Sequence, residues 1–326
     1  VKPAYRLFQA LSRARLAMYR RGWLKARRLR RPVLSVGNLS FGGSGKTPFV
    51  LRLGAELIER GYKVSILSRG YRRTGKGLVP VSDGKHILVG VEEAGDEAFL
   101  LAKALPKACV TVCEQRHQAG EFAEAEHGVD VHLLDDGFQH VQLRRSLDIV
   151  LMRGDEDLKQ GRWREPLAAL RRAHLVVLTG EAWPVEARLK RLFPDLLIHK
   201  TDLVNYGYFN AGGNAVAVDW MKEHPWIALA GIARPERFFD DLRRVPLTLA
   251  ETLPLPDHYR PKPGDAERLN GRLKSLSARG VLMTQKDFHK WQDKGLEVFY
   301  HRVGFPPLPG WILEMVLKAC EKPRRP

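Results

Sequence analysis

Short apolar runs alternate with longer stretches of helical spacing along most of this chain. Residues 33–37, 64–67, 108–112, 129–134, 147–152 and 175–178 are apolar runs of strand length. Between them, residues 50–60, 96–104 and 116–127 repeat apolar positions with the period of a helix. Strands that alternate with helices predict an α/β fold, with a mainly parallel sheet covered by helices on both faces. The rhythm breaks at residues 196–220, where Asn205, Gly207, Asn210, Gly212, Gly213 and Asn214 read as a hairpin-like linker. It resumes with strands at 227–230, 281–284 and 298–303 and a helix over 310–320. The expected division is a first domain over residues 1–195, the linker, and a second, smaller α/β lobe over 221–326.

Residues 3–24 read as an amphipathic helix. Ala4, Leu7, Phe8, Leu11, Ala14 and Met18 recur at helical spacing, with Tyr5, Tyr19 and Trp23 close by. Arg6, Arg13, Arg15, Arg20 and Arg21 lie among them, and Arg27, Arg28, Arg30 and Arg31 continue the basic run. Aromatic residues and arginine on one helix suit an interfacial membrane contact; a helix packed on its own domain with a solvated basic face is the alternative.

Composition changes the picture in one respect. With 44% hydrophobic and 28% charged residues the chain reads as globular, and no run reaches the ~18 apolar residues of a membrane span. Basic residues interrupt the first turns too often for a secretory signal. Cys109, Cys113 and Cys320 are too few for a disulfide framework, and no second Cys/His pair completes a zinc site. The net charge of +17 is the informative quantity. It points to a polyanionic partner: nucleic acid, an anionic membrane surface or a phosphorylated substrate.

The strongest chemical signal is Ser35-Val-Gly-Asn-Leu-Ser-Phe-Gly-Gly-Ser-Gly-Lys-Thr-Pro48, a strand that runs into a glycine-rich turn before a helix. Ser40, Phe41, Gly42, Gly43, Ser44 and Gly45 form the turn, whose glycines let backbone N–H groups face phosphate oxygens. The following helix adds its positive end. Lys46 is expected to reach the β- and γ-phosphates of ATP, and the Thr47 hydroxyl to ligate Mg²⁺. Ser40 stands where the strict phosphate-loop pattern has glycine. The context predicts a P-loop NTPase-like domain. A second apolar strand ends in Asp135 and Asp136, where a carboxylate holds Mg²⁺ in this fold class. Adjacent strand residues face opposite ways, so the two acids are expected to do different work.

These stretches resemble the tetraacyldisaccharide 4'-kinase family of lipid A synthesis. The resemblance also rests on Leu67-Ser-Arg-Gly-Tyr71, Glu92-Glu-Ala-Gly-Asp-Glu97, Leu134-Asp-Asp-Gly-Phe-Gln-His140 and Arg164-Glu-Pro166. Further matches are Ala230-Gly-Ile232 with Pro235 and Phe238, Pro256-Asp-His258, and Thr284 with Lys286-Asp287. The segment from Leu158 to Trp163 lacks the Pro and Leu of the pattern, and Gln285 replaces an acidic residue. The resemblance implies transfer of the ATP γ-phosphate to the 4'-hydroxyl of an acylated disaccharide phospholipid at the cytoplasmic face of an inner membrane. It implies Asp96 as the base and His258 as its partner, with Lys46 and Asp136 also catalytic. Asp135 or Asp136 would handle Mg²⁺ with Thr47, and Glu165 is a further candidate ligand. Asn38, Arg69, Tyr71, Arg116, Gln139 and His140 are the candidate substrate contacts. No nucleic acid and no obligate protein partner is expected.

Two other classes compete. Partitioning or targeting ATPases share the Gly-Gly-x-Gly-Lys-Thr turn but carry a further lysine where this chain has Phe41. A nucleic-acid-binding protein would need a groove-reading module or a basic aromatic sheet motif, and neither is evident.

Overall fold

The computed structural model describes residues 16–19, 21–40, 43–154, 163–180 and 183–321, and forms two compact units. The first comprises Val1–Leu203 and Phe305–Pro326, the second Val204–Gly304. The expected helix over residues 3–24 lies largely outside the described residues. Its described part, 16–19, is helical.

The first unit is built on β1 (Val33–Asn38), β2 (Val64–Ser68), β3 (Val79–Asp83), β4 (Cys109–Val112), β5 (Val131–Asp135), β6 (Leu147–Arg153), β7 (Leu175–Thr179) and β8 (Leu197–Lys200). Their order is β3-β4-β2-β5-β1-β6-β7-β8, parallel throughout except at the antiparallel β3–β4 edge. Side chains alternate between the two faces as the pleat requires. From β6, Leu147, Ile149 and Leu151 enter one core with Leu34 and Val36 of β1, while Val150 and Met152 enter the other. The first face is covered by α1 (Lys46–Glu59) and α3 (Asp96–Ala104), which follows the single turn α2 (Val91–Ala94); α4 (Arg116–His127) leads from β4 toward β5, and α5 (Trp183–Leu192) from β7 toward β8.

β1 is central, with β5 on one side and β6 on the other. The chain leaves β1 for β2 and later crosses from β5 to β6, so the carboxyl ends of β1 and β5 open onto the crevice where such sheets bind ligands. Gly37 fixes how closely they approach. A Cβ there would lie 2.5 Å from Phe138 Cβ and 2.7 Å from its backbone nitrogen. Gly37→Ala should therefore displace the turn after β5 and cost about 1–3 kcal/mol, read by chemical denaturation.

The second unit carries β9 (Val204–Asn210), β10 (Ala215–Val216), β11 (Pro225–Ala230), β12 (Thr248–Pro254), β13 (Gly280–Thr284) and β14 (Val298–Gly304). Their order is β10-β9-β14-β13-β11-β12; β14, β13, β11 and β12 are parallel, and β9–β10 is an antiparallel hairpin. The helices α6 (Val218–Lys222), α7 (Pro235–Arg243), α8 (Asp265–Ser275) and α9 (Gln285–Trp291) complete it.

Two boundaries differ from expectation. Residues 196–220 are not a linker: they supply edge strand β8, the β9–β10 hairpin and most of α6. The last helix, α10 (Gly310–Glu321), was expected in the C-terminal lobe but belongs to the first unit. Its Ile312 and Val316 join the core that holds α1. Each buried side chain of that size contributes about 1.5–3 kcal/mol, which decides where an amphipathic helix docks. Arg52 Nε also donates to the Phe305 carbonyl at 2.9 Å, and Phe305 meets Phe49 edge-on.

Candidate active site

The phosphate loop connects β1 to α1. Phe41 and Gly42 lie outside the described residues. Gly45 caps α1 with φ 84°, a left-handed conformation that glycine adopts without strain. Asn38, expected as a substrate contact, is fully buried, and its amide donates to Ser44 Oγ at 2.9 Å. Gln139 Nε2 donates to the Asn38 carbonyl at 2.9 Å. Both amides brace the phosphate loop. Ser40 pairs with Trp163 in an isolated antiparallel bridge, and Arg164 N donates to Leu39 O at 2.6 Å, so the Arg-Glu-Pro element returns alongside the loop entry.

Asp135 ends β5 beside β1, in register with Val36. Asp136 follows with φ 52°, a left-handed backbone that aspartate tolerates better than most residues. The two acids do face different partners. Lys46 Nζ stands 3.5 Å from Asp136 Oδ1, and Arg164 Nη1 donates to Oδ2 at 2.6 Å. Burial alone would push the Asp136 carboxyl up, but Lys46 and Arg164 outweigh it and hold the pKa at about 2. Asp135 instead accepts from Ser68 Oγ at 3.3 Å, and its Oδ1 is buried with no hydrogen-bond partner among the described residues. Burial, then Glu97 and Asp136, push its carboxyl up to about 7.

The sign of the resulting pH effect is definite. The unfolded chain loses the Asp135 proton near pH 4 while the folded chain keeps it to about 7, so rising pH favours unfolding across that interval and no further above it. Asp135→Asn is neutral in both states. Its melting temperature should exceed that of the ligand-free parent by a margin that grows from pH 4.5 to 7.5 and then levels. Asp136 does not disturb this window, because its lowered pKa titrates only between about 4 and 2.

Asp96 is 7% exposed and begins α3 beside Glu97. A carboxylate there meets the positive end of the helix. Gly95 precedes it at φ 82°, ψ 150°, and a Cβ on Gly95 would lie 3.0 Å from the Tyr71 carbonyl, so the start of α3 sits hard against the loop after β2. Arg69 and Tyr71 on that loop are exposed. Arg116 is buried at the start of α4; burial and then Arg69 lower its pKa, while Asp136 and Asp135 oppose that shift. His140 closes the turn after Asp136, its N–H bonded to Gly137 O at 2.8 Å.

Glu165 is held by an arginine. Both of its oxygens accept from Arg172, at 2.8 and 3.0 Å, and that guanidinium lies 4.4 Å above the Phe138 ring. Through Arg172, whose Nη2 also donates to the Phe138 carbonyl at 3.3 Å, it anchors the turn after β5. Among the described residues no three His, Cys, Asp or Glu side chains form a metal cage. A Mg²⁺ ion does not need one, since it is commonly held by one or two carboxylates and substrate phosphates. The orphaned Asp135 oxygen and the hydroxyl of Thr47, which follows Lys46 at the start of α1, fit that donor set. Arg164 and Ser68 were missed as site residues, although both lie inside quoted motifs; an arginine directly before Glu165 and a serine at the last position of β2 were the available signals.

His258 belongs to the second unit, as do Asp257, Thr284, Lys286 and Asp287. His258 has φ 61°, and its N–H donates to the Gly231 carbonyl at 3.1 Å. The motifs around Gly231, His258 and Thr284 thus meet at the carboxyl ends of β11 and β13.

Comparison with known proteins decides the family. The family model for LpxK, tetraacyldisaccharide-1-P 4'-kinase, matches residues 1–317. The chain belongs to the tetraacyldisaccharide 4'-kinase family. It is 40% identical over 301 residues to a tetraacyldisaccharide 4'-kinase of Koribacter versatilis, covering 88% of this chain and 87% of that one. With the tetraacyldisaccharide 4'-kinase of Pelobacter propionicus it shares 36% identity over 293 residues, covering 86% and 80%. A crystal structure of LpxK from Aquifex aeolicus, described as an "apo" form in complex with ATP, matches with a TM-score of 0.76 and 32% identity over 97% of both chains. A P-loop kinase fold of this family therefore accounts for both units.

Proposed function

We propose that this chain transfers the γ-phosphate of ATP to the 4'-hydroxyl of a tetraacylated disaccharide 1-phosphate. The observation that carries the reading is the Lys46–Asp136–Arg164 cluster at the mouth of a glycine-capped helix, in a member of this kinase family. Backbone N–H groups of the loop would receive the ATP phosphates, with Lys46 at the β- and γ-positions. Asp136 holds Lys46 and Arg164 in place with its ionised carboxylate. Thr47 and Asp135 would hold Mg²⁺, which supplies positive charge against the phosphate oxygens. A cation there also favours the ionised form of Asp135, so divalent binding should tighten as pH rises toward about 7.

Asp96 is proposed to take the proton of the acceptor hydroxyl, and His258 to act with it, on the strength of the family motifs. Arg69, Tyr71, Arg116 and His140 are proposed to contact the sugar-phosphate head group; arginine suits this because its planar fork meets phosphate oxygens in pairs. The +17 charge and Trp23, 70% exposed beside Arg21, support attachment to an anionic membrane surface, and no described helix is long and apolar enough to cross one. The test is ³²P transfer from ATP into a tetraacyldisaccharide 1-phosphate. Labelled lipid is the expected result. ATP loss without labelled lipid would instead indicate a nucleotide-hydrolysing switch.

A further inference from the structure

Thr284, Lys286 and Asp287 carry part of the family resemblance but have no task in the scheme above. They stand together after β13. Asp287 is 1% exposed and tethers three segments. Its Oδ2 accepts from Gly231 N at 2.9 Å and from Thr284 Oγ1 at 2.7 Å, while Oδ1 accepts from Lys290 Nζ at 2.8 Å. Gly231 in turn holds the His258 backbone, and a Cβ on Gly231 would lie 3.0 Å from Asp287 Oδ1. The network fixes the residue before α9's first turn relative to His258.

Its product is a contact between Lys286 Nζ and His258 Nε2 at 3.3 Å. An ammonium has three donors and no acceptor, so a hydrogen bond at this distance requires the lone pair of Nε2. The ring proton then belongs on Nδ1. Asp257 also stands close by: its Oδ1 lies 3.8 Å from Nε2 and 3.9 Å from Lys286 Nζ. The first distance is too long for an Nε2–H to donate across, whereas a carboxylate at that range balances the lysine charge.

We propose that Lys286 is a positioning residue for the transfer reaction, donating to Nε2 of His258 and thereby fixing both the ring orientation and the Nδ1–H tautomer. The proposal rests on the functional reading of His258 given above. It also assigns the direction in which His258 works. With its one lone pair engaged by Lys286, the imidazole presents a donor at Nδ1. Such a ring can donate to an acceptor but has no lone pair with which to take a substrate proton.

The decisive experiment is long-range ¹H–¹⁵N NMR of the full chain carrying ¹⁵N-histidine, with the His258 signals assigned through His258→Gln. The expected spectrum shows Nε2 as the unprotonated nitrogen and Nδ1 as the protonated one. Lys286→Met should move the ring toward the Nε2–H form, and Lys286→Arg, which keeps a cationic donor, should retain Nδ1–H. In parallel, Lys286→Met should lower kcat about 10–100-fold with KM for ATP almost unchanged, and Lys286→Arg should recover part of the loss. A protonated Nε2 in the parent, or an unchanged tautomer in Lys286→Met, overturns the proposal. Should Lys286→Met fail to fold, the parent spectrum still decides. A parent that never phosphorylates the lipid overturns the functional reading instead, and leaves the spectrum to judge the Lys286–His258 contact separately.

Discussion

Lys46→Ala is expected to lower kcat for lipid phosphorylation by about 10³-fold. Its ammonium opens α1 at the carboxyl end of β1, with a side chain 12% exposed and 3.5 Å from Asp136. In water a charge so placed would be screened to little effect, but a largely desolvated site makes each fixed charge count for several kcal/mol against developing phosphate charge. The fold should survive the change. Asp136 keeps Arg164 at 2.6 Å, so its carboxylate is not left without a cation, and α1 retains its buried face through Phe49, Val50 and Leu53. The signature is therefore a collapse of kcat with a melting temperature within a few degrees of the parent. A kcat within tenfold of the parent would remove Lys46 from the centre of the reaction.

Asp96→Asn should come second, with kcat lowered about 10²–10⁴-fold and KM for ATP close to that of the parent. Asparagine keeps the size of the side chain and can still accept a hydrogen bond at the start of α3, so the helix and its approach to Tyr71 through Gly95 should persist. What it lacks is a basic oxygen. A separation of kcat from nucleotide KM marks a group that meets the acceptor hydroxyl rather than ATP. If both parameters stayed within about threefold, the base would have to be sought elsewhere. Glu97, which faces Asp135 electrostatically, would be the next residue to change.

The sheet of the first unit was largely legible because its inner strands are buried on both faces and read as unbroken apolar runs. Of the strands that went unread, β3 and β12 are edges. β3 begins Val79-Pro80, pairs antiparallel and is only partly buried; β12 alternates Thr248, Glu251 and Thr252 with apolar residues and is half-exposed along its length. Edge strands carry polar positions that dilute the apolar signal. The glycines and asparagines of 205–214 were seen correctly as turn formers, yet they close a hairpin inside a sheet rather than separate two domains. At the site, loop, lysine and paired acids could be placed from spacing alone. The inward turn of Asn38 onto Ser44, six residues on, and the capture of Glu165 by Arg172, seven residues on, could not, since both pairs are brought together only by the folded turns between them.

The second unit interrupts the first, and this has a consequence for how the protein is made. A ribosome delivers residues 204–304 before Phe305 and α10, the segment that backs α1 through Phe49, Arg52 and Glu56. The inserted unit has all its strands in one stretch and is free to close while the larger one waits with an uncovered apolar surface behind its nucleotide-binding helix. Nascent chains halted in that interval are the form most exposed to aggregation, and a chaperone that shields α1 would protect them.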